Sequence, residues 1–370
     1  METSTPQRTR EIGFRHSRQF LPILQHLNVS LLVSTYAAGK LVCVGRTSAG
    51  SGGDQPELTL EFANFRRAMG IARNRMQLAI GGPQGIWTLR NAAEMTASIE
   101  PQGQLDMAYL AADYRVTGNI HVHEMGFDAD NQLWLCNTLF SCLCTLNDTH
   151  HFVPRWCPPF ISALAPEDRC HLNGIAWEAG RIVAVTAMGQ TDTHRGWRDG
   201  KTSGGVVMRV PDGEILAEGF CMPHSPRVHP DHPDRLFVLD SGRGTLVGVD
   251  LNRGQRETIA SYPGYGRGLA LTTQFAFIGM SRARETSVFG GVPICEDRQA
   301  MRCGIVVVDL NTGKQVAFLE FESGVDELFD VAIVPECRRI GVLGPSAKED
   351  GRKPVWVIPP FPNLGGDRVH

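Results

Sequence analysis

Apolar positions along this chain come in short runs of strand character, each entered through polar or charged residues and left through a turn. One phrase recurs. It reads Val122-His123-Glu124-Met125-Gly126-Phe127-Asp128, and again Arg67-Ala68-Met69-Gly70-Ile71-Ala72 and His171-Leu172-Asn173-Gly174-Ile175-Ala176. Looser copies stand at His224-Ser225-Pro226-Arg227-Val228, Tyr265-Gly266-Arg267-Gly268-Leu269-Ala270 and Glu327-Leu328-Phe329-Asp330-Val331-Ala332. Aligned on Gly126, the copies are 41 to 62 residues apart. A period near fifty residues with four short strands per unit predicts an all-β chain, a β-propeller of four-stranded antiparallel blades.

Strand–turn–strand patterns repeat between the copies. They lie at 30–36 with 40–45, 77–82 with 85–90, 133–137 with 142–146, 182–187 with 205–210, 236–240 with 245–250, 275–280 with 304–309, and 340–344 with 354–358. Counting these hairpins gives seven blades; counting the recurring phrase gives six. Seven is the expectation, with the first blade lacking or borrowing its inner strand, and six is the alternative. Turns such as Asp250-Leu251-Asn252-Arg253-Gly254 and Asp309-Leu310-Asn311-Thr312-Gly313 supply the positive-φ residue a tight hairpin needs.

Residues 1–19 read as a flexible N-terminal arm, 20–360 as one propeller domain and 361–370 as a C-terminal tail. Phe20 to Leu27 has the spacing of a short helix closing one end of the barrel. Apolar content of 42%, charged content of 20%, 40 glycines and 22 prolines suit a globular chain with many tight turns. A net charge of −3 argues against nucleic acid or an anionic membrane as the main partner. No apolar run reaches the roughly 18–20 residues that span a bilayer, and the Arg-rich start lacks the apolar core of a secretory signal. Ten cysteines without regular spacing read as reduced thiols of a cytoplasmic protein.

In a four-stranded blade, the loop entering the inner strand and the loop joining the second and third strands share one face. Three positions before the aligned glycine stand Arg67, His123, His171, His224, Tyr265 and Glu327, which should therefore ring one mouth of the channel. Three imidazoles with a carboxylate suit iron, copper, zinc or manganese better than calcium. The expected metal ligands are His123, His171, His224 and Glu327. Glu124, Glu327, Asp330 and His194 are candidate acids or bases, with Asp330 or Asn137 also able to fix an imidazole tautomer. Arg67, Asn173, Arg198, Arg227, Tyr265 and Arg267 are candidate substrate contacts. The plainer alternative is that these histidines only hydrogen-bond to neighbouring loops in a wet channel. Two long loops, 188–203 and 281–302, carry arginines and aromatic residues and would lid the mouth.

The phrases LLVSTYAAGKLVCVG, FRRAMGIA, HVHEMGFD, LWLCNTLFSCLCTL, HLNGIA, GWRDGKTSGGVV, MPHSPR, SRARETSVFGG and ELFDVAIVP resemble a bacterial family of hypothetical proteins, a domain of unknown function placed among the β-propellers. The resemblance spans roughly residues 20 to 360 and implies the propeller fold. A more distant likeness, to six-bladed lactonases of the regucalcin type, covers architecture only, since histidines stand where their acidic and amide calcium ligands would. Together these readings lead to an expected metal-dependent propeller enzyme, an oxidoreductase ahead of a hydrolase. It would act on a small anionic or amino-acid-like substrate. The alternatives are a zinc-dependent or metal-free hydrolase or lyase, and a non-catalytic propeller that binds a protein or peptide.

Overall fold

The computed structural model describes residues 12–48, 55–283 and 289–358. Most of the expected arm, the expected tail, residues 49–54 and residues 284–288 lie outside the described residues. Six antiparallel sheets of four principal strands form the ring. Blade 1 runs Asp330–Pro335, Val29–Thr35, Lys40–Arg46, Leu58–Asn64 from the channel outward. Blade 2 runs Ile71–Arg73, Gln77–Gly81, Gly85–Asn91, Met107–Val116, and blade 3 runs Val122–Phe127, Leu133–Asn137, Cys142–Thr145, Val153–Trp156. Blade 4 is Leu172–Glu178, Arg181–Ala187, Gly205–Arg209, Ile215–Phe220. Blade 5 is Pro223–His229, His232–Asp240, Thr245–Asp250, Arg256–Ser261, and blade 6 is Tyr265–Leu271, Phe275–Ser281, Gly304–Asp309, Lys314–Phe321.

The blade number is therefore six, not the favoured seven. The seventh expected hairpin does not form. Ile340–Leu343 instead lies parallel to Met107–Leu110 on the outer edge of blade 2, and residues 354–358 are irregular. The first blade borrows its inner strand from the far end of the chain, with Val29 paired to Pro335 and Ser34 to Asp330. Closing the ring this way pairs Val29–Thr35 on both of its edges. The expected helix is present at Phe20–Leu27 and buries Phe20 and Leu24 in the seam between blades 6 and 1. Part of the expected arm is structural: Phe14–His16 adds a fifth strand to blade 6. All ten cysteines are unpaired, and no described helix is long and apolar enough to cross a membrane.

Side chains staple blade to blade around the axis. Hydroxyls at or just after the ends of second strands donate to carbonyls at the start of the next inner strand: Ser34 to Met69 (2.6 Å), Thr138 to Leu172 (2.6 Å), Ser241 to Gly266 (2.7 Å) and Ser281 to Leu328 (3.1 Å). Inner-strand amides are capped from the neighbouring blade as well. Asp330 accepts from Ile71 N (2.8 Å), Glu124 from Ile175 N (2.9 Å) and Ser225 from Gly268 N (3.1 Å). At the junctions between these, the recurring glycine lets two inner strands touch. A Cβ on Gly70 would run into the His123 carbonyl, and one on Gly174 into Pro226. The repeated phrase is thus the ring's own packing code.

Candidate functional site

The order of residues at the start of each inner strand decides which side chains meet at the mouth. Val122, Leu172 and Pro223 each pair with the last residue of their blade's second strand, Asn137, Ala187 and Asp240. His123 and His224 are therefore equivalent, and Asn173 occupies that place in blade 4. His171 corresponds instead to His121, and both precede the strand with positive φ, 51° each. Aligning on glycine put three histidines in one register, but the pairing divides them between two.

They converge nonetheless. The His123 ring lies edge-on to His171 with centroids 4.9 Å apart, and roughly parallel to His224 at 6.3 Å. Each imidazole is held by Nδ1. That of His123 donates to the His121 carbonyl (2.9 Å) and to Thr138 (2.8 Å), whose own proton goes to Leu172. That of His224 donates to the Met222 carbonyl at 3.0 Å, with Ser241 at 3.1 Å. That of His171 meets both oxygens of Asp168 at 2.8 and 3.1 Å, and Trp197 Nε1 donates to the same carboxylate at 3.1 Å. In the neutral rings this leaves each Nε2 with a lone pair. On His123 it accepts from Arg267 Nη2 at 2.9 Å, and on His224 it is buried with no partner.

Burial pushes His123 and His224 well below the ordinary 6.5, helped by the nearby Arg267 and His171. Burial also pushes the Tyr265 hydroxyl far up. At the opposite end of the channel, burial raises Asp330 to about 7, against the pull of Arg227. These shifts act oppositely on stability. The depressed histidines contribute stability above 6.5 that is lost as pH falls below it. The raised carboxyl contributes stability fully present below 3.8 and lost as pH rises through about 7. Two histidines outweigh one carboxyl, so denaturant titrations should show a less stable protein at about pH 5.5 than at about 7.5. Asp330→Asn should widen that gap; greater stability at the lower pH would contradict the assignment.

A cavity of about 360 Å³ opens above the histidines. Arg67, His121, His123, Asp168, His171, Arg198, Tyr265, Arg267 and Glu327 give it its polar wall, and Tyr36, Trp197, Phe289 and Phe329 its aromatic one. Both long loops contribute, through Trp197 and Arg198 and through Phe289, as a lid over the mouth requires. Arg267 lies over the Phe329 ring at 4.0 Å, with Glu327 3.7 Å away.

Several expected residues are elsewhere. Glu124 and Asp330 are buried around Arg227, at 2.9 and 3.7 Å, toward the far mouth, where Arg227 and Asp330 line a second cavity of about 340 Å³. They cap backbone amides rather than face the histidines. Asn173 is buried, donates to the Pro223 carbonyl at 2.9 Å and accepts from Thr186 at 2.7 Å. Asn137 caps its own turn at Phe140 N. His194 is exposed on its loop, and it does not line the cavity. Among the described residues, no group of three or more His, Cys, Asp or Glu side chains is arranged to hold a metal ion. The sequence reading missed Asp168, His121, Tyr36 and Phe329. Only Asp168 left a trace, three positions before His171 in Asp168-Arg169-Cys170-His171.

A family model described as a domain of unknown function (DUF4915) matches residues 18–343. No curated protein matches the chain. Among solved structures, a chain of a nidogen/laminin complex is 11% identical with a TM-score of 0.51, covering 83% of this chain and 99% of that one. A gluconolactonase of Xanthomonas campestris is 14% identical with a TM-score of 0.46, over 83% and 92%. A catalytically inactive virginiamycin B lyase of Staphylococcus aureus, solved with quinupristin, is 9% identical with a TM-score of 0.41, over 84% and 99%. At these identities the likeness concerns the fold.

Proposed function

Since the chain belongs to the DUF4915 family, a family defined by its domain and not by a reaction, we propose a function from the mouth itself: an enzyme that moves a proton on a small anionic substrate. The observation that carries this reading is the Asp168–His171 pair at a cavity rimmed by three guanidinium groups. Asp168 fixes the proton on Nδ1 and would stabilise the imidazolium, so Nε2 is the atom that takes a proton from substrate or water and returns it. Trp197 holds Asp168 in turn, and its ring packs on His171 with centroids 4.5 Å apart. Arg67, Arg198 and Arg267 would orient the anion by charge-assisted hydrogen bonds. A concave cavity of this size suits a small molecule better than a protein surface.

The test is a panel of small carboxylates and phosphate esters, screened for binding by calorimetry and for turnover by NMR. His171→Ala should keep anion binding while turnover falls by about 10²-fold, and Asp168→Asn should lower it too. An acid–base role is ruled out if a substrate found this way turns over equally well without the His171 ring.

A second reading has one observation in its favour: all three imidazoles are tied through Nδ1 and carry the lone pair on Nε2, the tautomer pattern of metal-binding histidines. In it, His123, His171 and His224 would hold iron, copper, zinc or manganese, with Glu327 nearby, and the ion would supply Lewis-acid or redox chemistry. Arg267 would first have to leave Nε2 of His123. This reading needs stoichiometric metal in protein purified without added metal or a His tag, lost in the triple His→Ala variant. Metal-free protein removes it, and the redox preference with it.

A further inference from the structure

The charges around the mouth are unevenly matched. Arg267 is engaged on three sides, by His123 Nε2, Glu327 and the Phe329 ring. Asp168 is taken up by His171 and Trp197. Arg67 and Arg198 have neither a hydrogen bond nor an ion pair from their guanidinium groups among the described residues. Each instead lies over one aromatic ring, Arg67 over Tyr36 at 5.6 Å and Arg198 over Trp197 at 5.5 Å. Ring stacking fixes where such a group sits and leaves its N–H edge available. For Arg198 the cost is visible: its Nε is buried without a partner.

The two arginines reach the cavity from different parts of the ring. Arg67 comes from the entry to blade 2 and Arg198 from the long loop of blade 4, with blade 3 between them. Two guanidinium groups without an anionic partner therefore enter one cavity from either side of blade 3, which leaves two positive charges for a ligand to answer. We infer that the ligand is a dianion, a short carbon chain with an anionic group at each end, one taken by Arg67 and the other by Arg198. This deepens the acid–base reading and rests on it. Held at both ends, the chain's middle would face the blade 3 and blade 4 histidines, where His171 works. Arg267, engaged on three sides, adds its charge from the wall between.

Calorimetry with linear dicarboxylates from malonate to adipate, each against the monocarboxylate of equal length, tests the inference. One chain length should bind about tenfold tighter than its monocarboxylate, or better. Arg67→Gln and Arg198→Gln should each bring the dicarboxylate down to the affinity that the parent shows for the monocarboxylate. Both positions lie outside the buried core, so unchanged thermal unfolding will show that the variants are folded. Equal affinity for the two series, or an advantage surviving both substitutions, overturns the dianion and leaves the anion-binding mouth standing. If neither series binds, both are overturned.

Discussion

Arg227→Met is expected to cost about 3–5 kcal/mol of folding stability, because it strands two buried carboxylates. Glu124 and Asp330 have side chains only 7% and 3% exposed, and Arg227 is the cation between them. Each carboxylate also caps an amide of the next inner strand, Ile175 N for Glu124 and Ile71 N for Asp330. The cluster therefore ties the inner strands of blades 1 to 5 into one unit at the axis. Methionine fills much of the same space without the charge, so the loss would report electrostatics and not a cavity. Two checks separate these. Glu124→Gln added to Arg227→Met should recover part of the loss, and the deficit should shrink on acidification, since a protonated carboxyl needs no counter-ion. A variant as stable as the parent across pH would show that the cluster is not what holds the channel's far end.

Gly70→Ala should destabilise the ring by about 3 kcal/mol, the upper end of the usual overpacking cost. The added methyl would meet the carbonyl of His123 and the Cα of Glu124 on the neighbouring inner strand. These are backbone atoms, held by the blade 3 sheet, and cannot swing aside as a side-chain tip would. Any relief must come from moving His123, whose ring accepts from Arg267, so the substitution should also weaken anion binding at the mouth. Alanine at Gly103, where an added Cβ meets nothing within 4 Å but φ is +71°, gives the contrast. It should show backbone strain alone, a smaller loss, with binding unchanged. Equal losses at the two sites would remove the argument from inter-blade contact.

The architecture was legible because a propeller repeats itself. Each unit needs a tight approach at the axis and turn chemistry outside, and both leave marks in the chain: the glycine of the recurring phrase and the Asp-x-x-x-Gly turns. The short helix at Phe20–Leu27 follows the same logic of local pattern. The extra hairpin did not, since Ile340–Leu343 has the same apolar character whether it opens a new blade or edges an old one. Only the partner decides, and the partner, Met107–Leu110, is more than two hundred residues away.

The site divides in the same way. The sequence by itself determined that histidines, arginines and a glutamate from different blades face one mouth, because strand order and blade topology dictate it. It could not say which polar groups answer which. Glu124 directly follows His123 and Asp330 stands three residues after Glu327, yet both are sent down the channel to Arg227. Asp168, from the loop before blade 4, becomes the partner of His171, and Arg267 reaches across the channel to His123. Local periodicity sets the direction of a side chain, whereas its hydrogen-bond partner depends on how six separate sheets pack around a common axis.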